Sequence, residues 1–264
     1  MTLDLWVGLV VLSALFALEG VLPFYLGRRG RVRHAARNLG LAAIGGVVGA
    51  VLAPLWIGAT QLSAQLGIGL CHWLDGLGAG CALAAFVLFD LWMYAWHRAN
   101  HRISFLWRFH RVHHTDPAMD CTTALRFHPG EILLSGLANA LVLVLLGMSF
   151  ELLVLYKAVM VAVIALHHSN VAIPPLLDRR LRLLLVTPAI HRVHHSQIRT
   201  ETDSSYGTIF SVWDRLFGSL RLRPDPEAIR FGIGRFTAPR WQGLMGLLVL
   251  PLQSEPLSGR VETA

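Results

Sequence analysis

Histidine dominates the residue types in this chain that could do chemistry. Eleven of its thirteen histidines fall between positions 97 and 195. The pentapeptide HRVHH occurs twice, at 110–114 and at 191–195. The other clusters are HRANH at 97–101, RFHPGE around His128, and LHHSN around His167 and His168. Repetition of a pentapeptide that holds three histidines indicates a shared chemical task for the two copies.

The spacing within each main cluster matches one face of a helix. Side chains at positions i, i+3 and i+4 of an α-helix lie on the same side. Neutral imidazole is the commonest nitrogen ligand of metals and suits iron, zinc and copper. Three helical segments would therefore present eight imidazoles, which are too many for one metal ion and suitable for two. The expected ligands are His97, His101, His110, His113, His114, His191, His194 and His195.

The remaining histidines divide according to their surroundings in the sequence. His168 is expected to complete the ligand set, and the adjacent His167 is the competing candidate. His128 stands alone before a proline and fits either a metal ligand or a hydrogen-bonding partner of one. His34 and His72 are expected to be ordinary hydrogen-bonded or interfacial residues, so replacing His34 with alanine should do little.

Carboxylates and two arginines form a second set of candidates. The sequence has no Glu-x-x-His pair and no HExxH motif, and no general-base glutamate stands near a histidine box. We therefore expect mostly histidine ligands, with acids that orient imidazole N–H groups. Asp90 is the clearest case, because it lies inside an apolar segment seven residues before His97. The other acids are Asp116, Asp203 and Asp214. Arg111 and Arg192 fall off the histidine faces and are expected at the surface as partners of phosphate or carboxylate.

Apolar segments must position these histidines. Hydrophobic residues make up 54% of the 264 residues and charged residues only 15%, which indicates a membrane protein. A bilayer core of about 30 Å is spanned by roughly 20 apolar residues. The segments that fit, the last of them weaker, are 3–26, 39–59, 76–96, 132–150 and 152–166. The predicted fold is an all-α, polytopic membrane helical bundle of about four to five spans, the last two joined in a tight hairpin.

The distribution of arginine predicts the orientation of this bundle. The formal net charge is +7, and all but one of the 23 basic residues are arginines. Five arginines fall within 28–37, which predicts a cytoplasmic loop by the positive-inside rule. Residues 97–130 and everything after 166 then share the cytoplasmic side, as a histidine-rich metal-binding cap. Anionic lipid explains the basic balance better than nucleic acid, for which no motif is present.

The two ends of the chain and the cysteines carry weaker signals. The N-terminus has no basic region or cleavage site and is expected to be a retained membrane helix. Residues 241–252 are apolar, short and interrupted by Pro251, so an interfacial segment followed by a loose tail is expected. The cysteines lack metal-binding or disulfide spacing and are expected to serve packing; they are Cys71, Cys81 and Cys121.

Taken together, the motifs resemble those of the sterol desaturase and fatty acid hydroxylase family, over about 85–220. HxxxH is followed by two copies of HxxHH, set among membrane spans. The flanking sequences DLWMYAWHRANH, LWRFHRVHHT, ALRFHPGE, HHSN and TPAIHRVHHS are similar to the family's boxes. SYGTIFSVWDRLFGS resembles its closing segment, with Ser205 where asparagine is usual and Ser219 where threonine is usual.

The resemblance implies a membrane-bound, non-haem di-iron oxidoreductase that uses O₂ to hydroxylate or desaturate a lipid C–H bond. The lipid would be a fatty acyl chain, a sterol or hopanoid, a carotenoid or an ether lipid, and ferredoxin or a cytochrome b5-like protein with a reductase would donate electrons. Asp214 is expected either to brace an imidazole of the third box or to have a purely structural role in its turn. Trp92 and Tyr94 are expected either to shape a lipid channel or, as is commoner at that depth, to anchor the helix in the aromatic belt. The expected parts are N-terminal membrane helices at 1–75, a hydroxylase/desaturase-like catalytic domain at 76–222, and a C-terminal interfacial segment and tail at 223–264.

Other histidine-rich membrane proteins are the alternatives. A metal transporter or sensor would need ligands strung through the spans, whereas the sequence predicts them at one face. A membrane zinc hydrolase would use the same imidazoles, although eight ligands leave few open positions on two zinc ions. A haem-binding electron carrier needs histidine pairs on facing spans rather than HxxHH triplets.

Overall fold

The structure, a computed structural model, describes residues 2–254, apart from the side chain of Asp75. Within that range the chain is helical, with isolated β-bridges in place of a sheet. The α-helices are α1 (Leu3–Val21), α2 (Arg31–Leu66), α3 (Leu70–Trp73), α4 (Ala79–Arg102), α5 (Ser104–His114), α6 (Pro129–Leu146), α7 (Phe150–His168), α8 (Pro175–Leu181), α9 (Pro188–His194), α10 (Arg199–Thr202), α11 (Val212–Leu216) and α12 (Leu244–Val249). The 3₁₀ helices are Asp75–Leu77, Cys121–Leu125, Pro226–Ala228, Gly234–Thr237, Pro239–Trp241 and Leu250–Leu252.

Five helices of the described part are long and apolar enough to cross a bilayer, namely α1, α2, α4, α6 and α7. They match the five predicted segments, which confirms the all-α membrane bundle. The bounds differ at the end that bears the histidines. α2 begins at Arg31 rather than at residue 39, and α4 continues past residue 96 to Arg102. The additional turns carry His34 on α2 and both histidines of the first box on α4.

Close contact between α2 and α6 sets the position of the span that leads into the site. A Cβ atom built on Gly45 would collide with Ile132, and one built on Gly136 would collide with Leu52. The Nε1–H of Trp56 on α2 donates to the carbonyl of Gly136 at 2.8 Å. Glycine at these two positions therefore lets the helices approach closely enough for side chain and backbone to bond.

The turn between α6 and α7 is the tight hairpin that the sequence predicts. Gly147 ends α6 in the left-handed conformation, with φ +62°, which favours glycine. Ser149 caps the next helix, because its hydroxyl accepts a hydrogen bond from the Leu152 N–H. The two helices consequently run antiparallel and bring the first turn of α6 and the last turn of α7 to the same end of the bundle.

The C-terminal part packs onto α5 through one side of its apolar segment. Leu247 and Leu250 are fully buried in one apolar cluster with Trp107 and Val112 of α5. Met245 and Leu252 of the same segment are 72% and 81% exposed, so the interfacial position expected for 241–252 stays a prediction. The expected loose tail beyond that segment falls almost entirely in 255–264, outside the described residues.

Candidate metal centre

Four helix ends converge to assemble the centre. The last two turns of α4 carry His97 and His101, and the first residue of α5 follows α4 after a single linking residue. α5 carries the second box, α9 carries the third box up to His194 with His195 as its C-cap, and the final residue of α7 is His168. Because each box sits on a helix, its imidazoles project from one face, as the i, i+3, i+4 spacing predicts.

The structure gathers nine of these histidines into two groups. The first group contains His97, His101, His110, His114 and His194. The second group contains His113, His168, His191 and His195. Within each group, one candidate ligand atom per residue lies within 4.8 Å of all the others. The second and third boxes each contribute to both groups, so the two groups share their scaffold.

The nitrogens of the second group are spaced as ligands of one ion. The Nε2 atom of His168 lies 2.9 Å from Nε2 of His113 and 3.0 Å from Nε2 of His191. The Nε2 atoms of His191 and His195 are 3.1 Å apart. Two nitrogens bound about 2.1 Å from one ion, at right angles, are about 3 Å apart. The observed spacing therefore fits a metal ion.

Burial favours the neutral form of several of these imidazoles, and metal binding requires that form. Desolvation lowers the pKa of His194 to about 3. It also lowers the pKa of His113, His191 and His195 well below the usual value, and neighbouring imidazoles lower it further. The buried Nε2 atoms of His97 and His194 have no hydrogen-bond partner among residues 2–254. Such an orphaned acceptor is costly unless a ligand satisfies it, which supports a metal at this position.

The first group is held from outside through the Nδ1 atoms. His97 Nδ1–H donates to the carbonyl of Tyr206 at 2.9 Å, and His194 Nδ1–H donates to the carbonyl of Ser204 at 2.6 Å. The other two supports are carboxylates. His110 donates to Glu131 at 2.7 Å and His101 donates to Asp203 at 3.4 Å. These bonds fix the tautomer and direct Nε2 toward the metal position.

The second group has much less external support. His168 Nδ1–H donates to the carbonyl of Ile164 at 2.8 Å. The Nδ1 atoms of His113, His191 and His195 are buried and have no hydrogen-bond partner in the described part of the chain. The two groups therefore differ in how firmly their imidazoles are oriented, although they are built from the same boxes.

His167 and His128 lie close to the nine but are arranged differently. His167 belongs to neither group; its ring centroid is 3.9 Å from that of His191, and neither of its buried nitrogens has a partner among the described residues. His128 caps α6, because its Nδ1 accepts from the Gly130 N–H at 2.9 Å and its Nε2–H donates to the Leu248 carbonyl at 3.1 Å. Both ring nitrogens of His128 thus form hydrogen bonds, so neither is free to bind a metal in this arrangement.

Asp90 and Asp214 accept hydrogen bonds from other side chains and from backbone N–H groups rather than from imidazoles. The carboxylate of Asp90 accepts from Tyr156 Oη–H at 2.8 Å and Trp213 Nε1–H at 2.8 Å. Asp214 accepts from the backbone N–H groups of Tyr206 at 2.7 Å and Gly207 at 2.9 Å. Of the two roles expected for Asp214, its contacts match the structural one, because it supports the Tyr206 peptide that in turn holds His97 of the first box.

Asp116 also has a different partner from the one expected, since it contacts His34 and not a histidine of either group. Nε2 of His34 lies 2.9 Å from the Asp116 carboxylate, and Nδ1 lies 2.9 Å from Asp120. Burial raises the pKa of Asp116, but His34 and Arg126 outweigh that effect and hold the pKa well below its usual range. His34 is thus the hydrogen-bonded residue that the sequence predicts, in a buried network that ties α2 to the loop after the second box.

Arg111 and Arg192 are buried, contrary to the surface position expected for them. Arg111 donates to the carbonyl of Leu250 at 2.7 Å, and its guanidinium lies 5.0 Å from the Phe236 ring centroid. Arg192 donates to the carbonyls of Ser169 and Val171 at 3.1 and 3.0 Å. The faces opposite the histidines are covered by other parts of the chain, so these arginines bind backbone carbonyls in the interior.

The sequence did not predict two features of the site. Glu131 is buried in the first turn of α6, and its second carboxylate oxygen, Oε2, has no partner among residues 2–254. The proximity of Glu131 to His110 contradicts the expectation that no glutamate stands near a box. Ser205 adopts φ +53°, where asparagine is tolerated better than serine. The asparagine usual at this position was the available signal for that conformation.

A cavity of about 220 Å³ lies beside both groups. Histidines of both groups line one side, and Trp56, Met93 and Met160 line the part between the spans. A smaller cavity of about 60 Å³ shares these three residues and continues toward Leu153. The expected channel residues Trp92 and Tyr94 do not line either cavity; Trp56 and Trp96 take that place.

Helical spans with two histidine groups at one end define a membrane protein with a histidine-rich site that could hold metal ions. The fatty acid hydroxylase family model matches residues 82–219, slightly more than half of the chain. The chain therefore belongs to the fatty acid hydroxylase family.

Similarity to individual proteins covers the same region. The chain is 32% identical over 150 residues to ornithine lipid hydroxylase OlsE of Rhizobium tropici, covering 56% of this chain and 44% of that protein. It is 27% identical over 157 residues to human alkylglycerol monooxygenase, covering 57% and 32%. It is 26% identical over 149 residues to mouse cholesterol 25-hydroxylase, covering 56% and 49%. In each case the match spans less than half of the relative. No solved structure matches the chain.

Proposed function

We propose that this chain is a membrane-bound, non-haem di-iron oxidoreductase that uses O₂ to hydroxylate or desaturate a lipid C–H bond. The observation that carries the proposal is the pair of buried imidazole groups beside an apolar cavity between membrane spans. The relatives named as hydroxylases and a monooxygenase of lipids support a lipid as the substrate class.

The nine grouped histidines would hold the two ions, one ion per group. Bound iron would supply O₂ activation and the oxidising power for C–H cleavage. The residues of the chain would bind and orient the lipid and would exclude water. Trp56, Met93 and Met160 would hold an alkyl chain against the histidines, and burial of the histidine groups keeps bulk water from the reacting carbon.

The arginines of 28–37 support a cytoplasmic position for the histidine end of the bundle. Electrons would arrive there from a soluble donor such as ferredoxin or from a cytochrome b5-like protein with its reductase. Hydroxylation and desaturation are both compatible with the cavity, and the fatty acyl, sterol or hopanoid, carotenoid and ether lipid classes all contain alkyl C–H bonds that could enter it.

The test combines metal analysis with lipid analysis. Purified protein should contain two iron ions per chain and give the Mössbauer signal of coupled irons. Lipids from cells that express the chain should include species that have gained one oxygen atom or lost two hydrogen atoms. Cells that express the His194→Ala variant should lack these species. Iron-loaded protein that changes no lipid in the presence of a reductant would contradict the proposal.

A membrane zinc hydrolase is the second candidate, and Glu131 is the observation that favours it. Its buried Oε2 atom has no partner among the described residues, and the residue lines the cavity beside the histidines, where a general base would be useful. Two zinc ions in place of iron, with water-dependent cleavage of a lipid ester, would support the hydrolase and exclude the oxidoreductase.

A further inference from the structure

Part of the chain after the histidine boxes packs against α4 well below the histidines. The carboxylate of Asp90 accepts from the backbone N–H groups of Ile209 and Phe210, both at 3.2 Å. Asp90 precedes His97 by seven residues of α4, which corresponds to about 10 Å along the helix axis. The ring of Phe210 also lies 6.4 Å from that of Phe86, one turn further along α4. This backbone therefore reaches about 10 Å beyond the histidine level toward the centre of the spans.

A second segment accompanies it to the same depth. Leu185 and Phe210 form an isolated antiparallel bridge. The Val186 N–H donates to the Ile209 carbonyl and the Ser211 N–H donates to the Leu184 carbonyl, both at 2.9 Å. We call these two segments, residues 181–186 and 207–217, the re-entrant pair. Each enters from the histidine end of the bundle and returns to it.

Protein atoms satisfy backbone polar groups of the re-entrant pair, as a position away from water requires. Irregular backbone at membrane depth is tolerated only where its polar groups are satisfied by protein. Asp90 and the pairing bonds satisfy the turn at 209–211, and Ser211 Oγ–H donates to the Arg182 carbonyl at 2.8 Å. Arg215 donates to the Leu183 carbonyl at 3.3 Å. An acid inside a membrane span thereby acquires a structural purpose, because it replaces the water that this turn would otherwise need.

The outer face of the re-entrant pair is uncovered and apolar apart from Arg215, whose exposed guanidinium donates to the carbonyls of Leu183 and Arg182. Leu183 is 71% exposed and Leu216 is 67% exposed, and Leu184 and Phe217 beside them are also exposed. Arg179 and Arg180 on the neighbouring helix α8 are exposed as well. Leucines flanked by exposed arginines form the pattern of an interfacial segment, whose arginines meet anionic head groups while its leucines enter the acyl region by about 5–10 Å.

We propose that the re-entrant pair is embedded in the leaflet on the histidine side of the bilayer. Its exposed leucines and Phe217 lie among phospholipid acyl chains, and Arg179 and Arg180 bind the phosphates of anionic lipids. Gly207 and Thr208 of the same pair line the cavity, so the pair borders the cavity on one side and the leaflet on the other. The inference rests on the five membrane spans and is independent of which metal the histidines hold.

Site-directed spin labelling tests this placement. Labels are introduced as Leu183→Cys and Leu216→Cys in a Cys71→Ser background, since Cys81 and Cys121 are buried and resist labelling. The protein is placed in nanodiscs of equal parts phosphatidylcholine and phosphatidylglycerol. The accessibility of each label to O₂, which dissolves in lipid, is compared with its accessibility to a water-soluble paramagnetic chelate. Leu141→Cys, exposed on α6, is the control for lipid, and Glu227→Cys is the control for water.

The two test labels should resemble Leu141→Cys, with a ratio of O₂ to chelate accessibility several-fold higher than at Glu227→Cys. A ratio equal to that of Glu227→Cys would overturn the proposal, because the pair would then lie in water. Exclusion of both reagents would also overturn it, because a second protein surface would then cover the leucines. None of these outcomes depends on oxidation of a lipid, so the proposed function is tested separately.

A measurement without any substitution gives an independent check. The unmodified chain is reconstituted with a phospholipid that carries a photoreactive diazirine in the middle of one acyl chain, and adducts are located by mass spectrometry after illumination. Adducts are expected within 181–186 and 212–217 and not within 223–230. Adducts confined to the five long helices would contradict the embedded position.

Discussion

The two imidazole groups are made from the same boxes yet are held in different ways. Four of the five histidines in the first group donate from Nδ1 to a carbonyl or carboxylate, whereas one of the four in the second group does so among the described residues. Such outer hydrogen bonds fix the tautomer and raise the basicity of the ligand. The number of imidazoles alone therefore does not describe this site: hydrogen bonds from outside orient most of the first group, whereas the second group is held mainly by contacts among its own rings.

Removing one ligand from each group should give the largest effects. We expect His194→Ala to lose the metal of the first group and His191→Ala that of the second, each with more than about a 100-fold loss of oxidation, since loss of an outer partner alone costs about 10–100-fold. Metal per chain and lipid oxidation are measured after confirming membrane insertion. His72→Ala is the control. Equal iron loading in His194→Ala, His191→Ala and the unaltered protein would undo the assignment of ligands.

Removing an outer carboxylate should have a smaller and one-sided effect. Glu131→Gln replaces the charged acceptor of His110 with a neutral one, and we expect the affinity of the first position for metal to fall about 10–100-fold. The second position should bind as before. Metal titration of the apoprotein resolves the two events, and Glu151→Gln, exposed in the first turn of α7, is the matched control. A uniform weakening of both positions would show that the groups are not supported independently.

Release of metal should follow the same asymmetry in chains that keep one group intact. The metal left in His191→Ala lies in the first group, and we expect a chelator to remove it about tenfold more slowly than the metal left in His194→Ala, since outer hydrogen bonds affect affinity on this scale. Stopped-flow chelation with a coloured chelator measures both rates. Faster release from the first group would reverse the comparison.

The smallest effect on the centre itself is expected from His34→Ala. His34 touches neither group, but its loss leaves Asp116 and Asp120 buried without their shared partner. We expect a loss of about 3 kcal/mol in the free energy of unfolding, whereas the sequence alone indicated little effect. Thermal unfolding in detergent measures it, with metal content at low temperature as the check. A variant as stable as His72→Ala would show that this network contributes nothing.

Local periodicity explains what the sequence could predict. The three boxes place their imidazoles through the repeat of a helix, and the spans follow from runs of apolar residues, so both were accessible without a structure. The choice of His168 over His167 for a group depends on the rotation of α7 against α9, which no local pattern encodes.

Contacts between distant segments explain what the sequence could not predict. Glu131 reaches His110 only because α6 folds back beside α5, 21 positions apart in the chain. The burial of Arg111 depends on a segment about 140 residues later, whose apolar run was compatible with lipid as well as with protein. Asp90 was singled out correctly as an acid inside a span, but its partners are backbone groups from a remote segment.

The unequal lengths of the spans have a mechanical consequence. α6 and α7, with 18 and 19 residues, are about 27–29 Å long and match one bilayer core, whereas α2, with 36 residues, is about 54 Å long. The additional turns of α2 extend beyond α6 and α7 on the histidine side. His34, near the first residue of α2, forms hydrogen bonds with the loop that follows the second box. Adding or deleting one turn in the middle of α2 would shift the position of His34 along the helix axis by about 5.4 Å. The length of α2 thereby sets how far the loop after the second box lies from the middle of the membrane spans.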